Sequence, residues 1–204
     1  MMSKPVHVAV FDTLADWEIG YATAHIRRHS WQPQPGRYTI VTVGPTSGPV
    51  TTMGGLRVFP DITLAQLRPD DSAMLILAGG DGWETPGMAG YRTAARRFLA
   101  AGIAVAAACG ATLGLALEGL LDDRAHTSNA AEYLASSGYA GQHRFVDAPV
   151  VTDGNLITAS GTAPVHFARA IFEHLGSYDP EVAASWFKLY GDRDPAGFYE
   201  LASA

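Results

Sequence analysis

Cys109 is the only cysteine in the chain, and its surroundings are those of a nucleophile. A run of small, strand-forming residues, Gly102-Ile103-Ala104-Val105-Ala106-Ala107-Ala108, leads into it. Gly110-Ala111-Thr112 and the helix-compatible Leu113-Gly114-Leu115-Ala116-Leu117-Glu118 follow at once. A buried strand that breaks into a helix at a reactive side chain is a nucleophile elbow. The tight turn presents the side chain while N–H groups at the helix start face developing negative charge. The same helix N-terminus is expected to favour the attacking thiolate over the thiol. The alternative for any lone cysteine is a small buried hydrophobe; here the strand, the small neighbours and the helix start favour the elbow.

The elements that must position this residue alternate between strand and helix. Val6–Phe11 is β-rich, and Asp16–Ile26 has helical periodicity after a capping-type Asp16. Tyr38–Val43 is a strand ending at Gly44-Pro45, and Leu56–Asp61 a shorter one after the Met53-Gly54-Gly55 turn. A helix-like segment, Ile62–Leu67, precedes Ala73–Ala78, which is apolar throughout, as in a strand covered on both faces. A helix over 88–101 and the strand into Cys109 come next. Strands are then predicted around Ala125–Ser128, at Val150-Val151 and over Leu156–Ser160, before a helix over Val165–Leu175 opened by Pro164.

Such alternation predicts an α/β fold, a largely parallel sheet between two helical layers, with ligands at the carboxyl ends of the strands. Three features fall on that edge: Glu18 past the first strand, Gly79-Gly80 after a central one, and Cys109 after the next. The segment from Ser177 carries Trp186, Phe187, Tyr190, Phe198 and Tyr199, and is expected to pack on the domain or on a second subunit. The 204 residues, 48% of them apolar, are read as one domain over 1–204 with 177–204 as a C-terminal aromatic extension.

Composition narrows the function classes. A net charge of −6, with Arg27, Arg28, Arg96 and Arg97 only in isolated pairs, speaks against nucleic acid as a partner, and no apolar run is long enough to cross a membrane. One cysteine allows no internal disulfide, and the start enters strand sequence too quickly for a signal peptide, so a reducing cytoplasm is expected. The seven histidines are scattered and no Cys/His cluster has metal-ligand spacing, so neither metal nor cofactor is expected.

Five segments in register carry a family resemblance: Asp16-Trp17-Glu18, Leu77-Ala78-Gly79-Gly80-Asp81, Ala107-Ala108-Cys109-Gly110-Ala111, Gly119-Leu120-Leu121-Asp122 and Leu156-Ile157-Thr158-Ala159-Ser160-Gly161. In order and spacing, over roughly residues 5–176, the chain resembles the ThiJ/PfpI superfamily, whose fold is related to class I glutamine amidotransferases. The resemblance implies a flavodoxin-like three-layer α/β sandwich, usually dimeric, with the elbow cysteine hydrogen-bonded to a protonated carboxylic acid. Glu18 matches the position of that acid. A carboxyl beside a thiolate in a partly buried site should have its pKa raised and could shuttle a proton; otherwise Glu18 is a first-turn acid favoured by the helix dipole. Gly79, Gly80 and the Gly110 amide match the family's oxyanion and substrate-binding turn, for which glycine permits the close approach.

Departures from the family pattern bear on mechanism. Protease-like members place a histidine directly after the cysteine, where this chain has Gly110. Many relatives, including the Parkinson-disease-associated protein deglycase, carry a histidine one strand downstream; that position falls near Ser128, with His126 two residues earlier. A shift of two along a strand keeps the face, so His126 is a candidate general base, or a satisfied strand-edge histidine. Thr162-Ala163-Pro164-Val165-His166 contains no His-x-Glu, so the amidotransferase triad has no counterpart and His166 is assigned to a helix surface. The expected activity is that of a cysteine-nucleophile enzyme acting on a small electrophile, glyoxalase-, deglycase- or hydratase-like. The alternative is a redox or stress sensor through oxidation of Cys109; a peptidase or a ligand-binding amidotransferase-like domain fits less well.

Overall fold

The computed structural model describes residues 3–203; Met1, Met2 and Ala204, at the ends of the expected 1–204 span, lie outside the described residues. Its centre is a seven-stranded sheet. β1 (Lys4–Ala9), β2 (Tyr38–Gly44), β5 (Ile62–Thr63), β6 (Met74–Leu77), β7 (Ala104–Ala108), β8 (Val150–Asp153) and β9 (Leu156–Ala159) run in the order β5-β2-β1-β6-β7-β9-β8, and β3 (Val50–Thr51) and β4 (Arg57–Val58) form a separate hairpin. Within the sheet every pairing is parallel except β8 with β9. The five strands β2-β1-β6-β7-β9 have the flavodoxin-like doubly wound order.

Strand periodicity divides the core into two layers. Leu75, Leu77, Val105 and Ala107 point to one face, where they meet α2 (Ala89–Ala100) and α3 (Gly110–Leu117) through Tyr91, Phe98 and Leu115. Their neighbours Met74, Ile76, Ala104, Ala106 and Ala108 point to the other, where α1 (Asp16–Arg27) and α5 (Pro164–Leu175) supply Ala22, Ile26, Phe167 and Ile171. Both faces of β6 and β7 are therefore buried, which is why their sequences are apolar without alternation. Pro164 opens α5, and Gly176, at φ 58°, closes it in a left-handed conformation that glycine adopts without strain.

Of the shorter elements α4 (Ala131–Ala135), α6 (Pro180–Tyr190) and α7 (Ala196–Ala202), the last two form the aromatic extension. It packs on its own chain: Trp186 is fully buried and meets the rings of Phe172 on α5 and His25 on α1. Burying a ring of this size contributes about 2–3 kcal/mol.

Four local expectations differ from the structure. Asp16 is the first residue of α1 and does not cap it; its carboxylate accepts from Gly54 N at 2.7 Å instead. In the stretch 56–61 only Arg57–Val58 is strand, in the hairpin outside the main sheet. Ile62–Leu67 is not helical: Ile62–Thr63 continues the sheet edge, and the Gln66 side chain accepts from Thr63 N and closes a turn. Around Ala125–Ser128 there is only an isolated bridge between His126 and Phe145, because side chains take the amides: Ala125 N donates to Asp153 and Thr127 N to Thr158 Oγ1.

Candidate active site

β7 ends at Ala108 and α3 begins at Gly110, so Cys109 alone makes the turn. Its backbone lies at φ 52°, ψ −122°, a region that costs a non-glycine residue about 1–3 kcal/mol unless the surroundings hold it. They do. Cys109 N donates to Ala159 O of β9 at 3.0 Å, and Cys109 O accepts from Thr112 N and from Thr112 Oγ1, at 3.0 and 2.6 Å. Thr112 Oγ1 in turn meets Ser128 Oγ at 2.6 Å, so Ser128 braces the elbow rather than the sulfur. A Cβ on Gly110 would stand 2.8 Å from the Trp83 ring and 3.0 Å from Gly80 O, which is why this turn admits only glycine there.

Glu18 reaches the sulfur from the first turn of α1. It is 1% exposed, and Oε2 accepts from Gly79 N at 2.6 Å. Oε1 has no N–H or O–H partner and faces Cys109. Two glycines enclose the pair. A Cβ at Gly79 would sit 2.9 Å from both Sγ and Glu18 Oε1; one at Gly161 would sit 3.0 and 2.7 Å from them. Ala15 N donates to Gly79 O and the Trp17 indole to Gly161 O, tying α1 to both walls.

Burial pushes the Glu18 carboxyl above its ordinary value, against the opposing effects of Gly79 N–H and Cys109. Burial also raises the Cys109 thiol, and the charge of Glu18 adds to it, while Asn129 and Gly110 N–H act in the opposite sense. The helix N-terminus therefore does not by itself decide the thiol, contrary to the expectation from α3 alone. Burial holds both groups back from ionising, and the charge of Glu18 holds the thiol back further, so the two protons are not lost together.

His126 is not brought to the sulfur. It is fully buried, with Nδ1 2.8 Å from Arg124 O and Nε2 2.9 Å from Tyr139 OH, so both ring nitrogens are engaged elsewhere. The general-base assignment is corrected accordingly. Gly79 also needs correction as an oxyanion donor, because its N–H is committed to Glu18; the amides of Gly80 and Gly110 are left on the turn beside Cys109. His166 packs its ring edge-on against Phe187.

The sequence reading missed Asn129, whose Nδ2 donates to Cys109 Sγ at 3.1 Å. Its one signal was position, directly after Ser128, where relatives were expected to place a histidine. Tyr133 on α4 also faces the site: burial raises its hydroxyl, and the charges of Cys109, Glu84 and Glu18 add to that effect. Among the described residues no three His, Cys, Asp or Glu side chains are grouped to hold a metal ion, and no helix is long and apolar enough to cross a membrane. A cavity of about 650 Å³ lined by Lys4, Arg37, Tyr38 and His174 opens at the opposite, amino-terminal edge of the sheet, away from these groups.

Known proteins share this arrangement of elements. Residues 4–174 match the model of the DJ-1/PfpI family. The chain is 37% identical to the "uncharacterized protease YoaZ" of Bacillus subtilis, covering 98% of this chain and 97% of that protein. It superposes on a ThiJ/PfpI family protein from Bacillus anthracis with a TM-score of 0.93 at 36% identity, covering 100% of this chain and 97% of the other. A DJ-1 superfamily protein from Agrobacterium tumefaciens follows at 0.81 and 35%, covering 93% and 99%. On sequence and on structure, this chain belongs to the DJ-1/PfpI family.

Proposed function

We propose that the chain is a cysteine-dependent enzyme that adds the Cys109 sulfur to a small carbon electrophile, with Glu18 moving the proton. The observation that carries this reading is the buried carboxyl of Glu18, whose Oε1 has no hydrogen-bond partner and shares with the Cys109 sulfur the space enclosed by Gly79 and Gly161. Gly79 N–H holds Oε2, so a proton on the carboxyl belongs on Oε1, where it points at the thiolate. Passing that proton from thiol to carboxylate produces the nucleophile, and passing it back neutralises the oxygen of the adduct. The amides of Gly80 and Gly110 are the proposed donors to that oxygen.

A reactive aldehyde such as methylglyoxal or an isonitrile suits this machinery, because addition expels no leaving group; a glycated adduct would in addition have to release its amine. Peptide hydrolysis suits it less. An amine leaving group needs a proton and the acyl-enzyme needs an activated water, yet among the described residues no histidine contacts the sulfur. The name of the Bacillus subtilis relative therefore does not set the reading. A cytoplasmic setting would keep the lone thiol reduced, and a homodimer is the proposed assembly. Trp17, Met53, Leu56 and Phe59, each 49–66% exposed on α1 and the neighbouring hairpin segment, support the latter.

The test compares wild type with Cys109→Ala and Glu18→Gln for methylglyoxal consumption, alongside the pH profile of Cys109 alkylation. Expected are turnover by wild type only and, in Glu18→Gln, an alkylation profile moved to lower pH, because the charge that raises the thiol is gone. Equal consumption by Cys109→Ala would overturn the reading. A second reading, a stress sensor, draws on the lone cysteine: one hydrogen peroxide would oxidise the thiolate to sulfenate, which no second thiol in the chain could resolve, and a second would carry it to sulfinate, each step releasing one water. Stable sulfinate without turnover of any electrophile would favour the sensor.

A further inference from the structure

We propose that Asn129 is a catalytic residue, the hydrogen-bond donor that holds the Cys109 sulfur as the attacking anion while being unable to take its proton. Its amide is fixed at both ends. Oδ1 accepts from Gly161 N at 2.9 Å and lies 3.4 Å from Ser160 Oγ, while Nδ2 points to Sγ at 3.1 Å. The orientation is not free to reverse. Gly161 N–H can only donate, so it must face the amide oxygen, which leaves the two N–H groups for the sulfur. Gly161 is held in turn through its carbonyl by the Trp17 indole at 2.9 Å, so the donor is mounted on α1 as well as on the loop after β9.

A donor-only contact discriminates between the two forms of the nucleophile. It strengthens when the sulfur carries charge and gains little from the neutral thiol. It also closes the proton account. Asn129 does not titrate, and the neighbouring His126 is committed to Arg124 and Tyr139, so the thiol proton has one destination among the side chains that contact the sulfur: Glu18. The S–H bond breaks, an O–H bond forms on Oε1, and Asn129 holds the resulting thiolate. When the sulfur adds to a carbonyl carbon, the C–S bond forms and the π pair moves to oxygen. That oxygen takes the proton from Glu18, giving a hemithioacetal with nothing expelled. This inference rests on the cysteine-enzyme reading for its place in a reaction, but not for its test.

The test is the rate of Cys109 alkylation by iodoacetamide between pH 5 and 10 in wild type, Asn129→Ala and Asn129→Asp, which needs no substrate. Removing a hydrogen bond to a charged partner is expected to move the Asn129→Ala profile up by about one to two pH units. On the acid side of both profiles that makes alkylation about 10- to 100-fold slower. Asn129→Asp keeps an oxygen for Gly161 N–H but sets an anion beside the sulfur, and should move the profile at least as far. Superimposable profiles in all three proteins would overturn the proposal. So would a shift in Asn129→Ala with none in Asn129→Asp, which would leave Asn129 as a support for Gly161 alone. A shifted profile without methylglyoxal turnover in any of the three would sustain Asn129 and count against the enzyme reading instead.

Discussion

His25 should make the protein acid-labile in a way that one substitution removes. It sits on α1 with 7% of its surface exposed, enclosed by the rings of Trp31, Phe172, Trp186 and Tyr190 at centroid distances of 5.1–6.2 Å. Nδ1 is buried with no partner, and the charge that acts on the ring is that of Arg28. Burial first and the Arg28 guanidinium second lower its pKa from 6.5 to about 4. The folded state thus binds the proton less well than the unfolded state. Stability is complete above pH 6.5 and is lost as the pH falls from there towards 4. The full loss is ~3 kcal/mol, of which roughly 2 kcal/mol is reached by pH 5. His25→Phe keeps a ring in the aromatic box and does not titrate. His7, His126 and His174 are also lowered by burial, so wild type alone would mix their effects with that of His25; the difference between the two proteins isolates it. Urea midpoints at pH 7.5, 6.5, 5.5 and 5.0 give that difference. His25→Phe should gain on wild type by about 2 kcal/mol between pH 7.5 and 5.0. Because α6 closes the same box, one cooperative transition is expected, in keeping with a single domain. A constant gap across the pH range would refute the reasoning.

Two substitutions probe the walls of the site. Gly161→Ala would place a Cβ 2.7 Å from Glu18 Oε1 and 2.8 Å from Cys109 Cβ, and a Cβ moves only with its backbone, so it should lower turnover at least about tenfold and the melting temperature with it; unchanged kcat/KM would contradict the packing of the pair. His126→Phe should leave the alkylation pH profile of Cys109 where it is, yet destabilise the fold by about 1–3 kcal/mol, because the Tyr139 hydroxyl loses its partner in a buried site; a displaced profile with an intact fold would return His126 to the site.

The sheet was legible because its information is local. Apolar runs such as 74–77 and 104–108, glycines at strand ends and Pro164 at a helix start each act within a few residues. The short edge pieces were not: Ile62–Thr63 is a strand only because the end of β2 lies beside it. The aromatic extension was read as packing on the domain or on a second subunit, and the chosen partner, the α1–α5 groove around Trp186, appears only once both helices are assembled.

The site divides along the same line. The alternation of strands and helices located Glu18, Gly79 and Cys109 on one edge, but the face rule failed for His126 because residues 125–128 are not in a ladder. Where side chains of Asp153 and Thr158 take the amides, nothing enforces alternation, and a shift of two residues no longer preserves direction. Gly79 was read as lending its N–H to a substrate, and a backbone N–H carries no sequence mark of whether a carboxylate 61 residues away has already claimed it. The thiol was read from the dipole of α3 alone, whereas burial, the largest influence, and after it the opposed effects of Asn129 and of the charge of Glu18 come from elements distant in sequence. Asn129 follows from that imbalance. With two influences holding the proton on sulfur, a site that needs the thiolate requires a donor at the sulfur, and the one side-chain amide there is oriented by Gly161, 32 residues further along the chain.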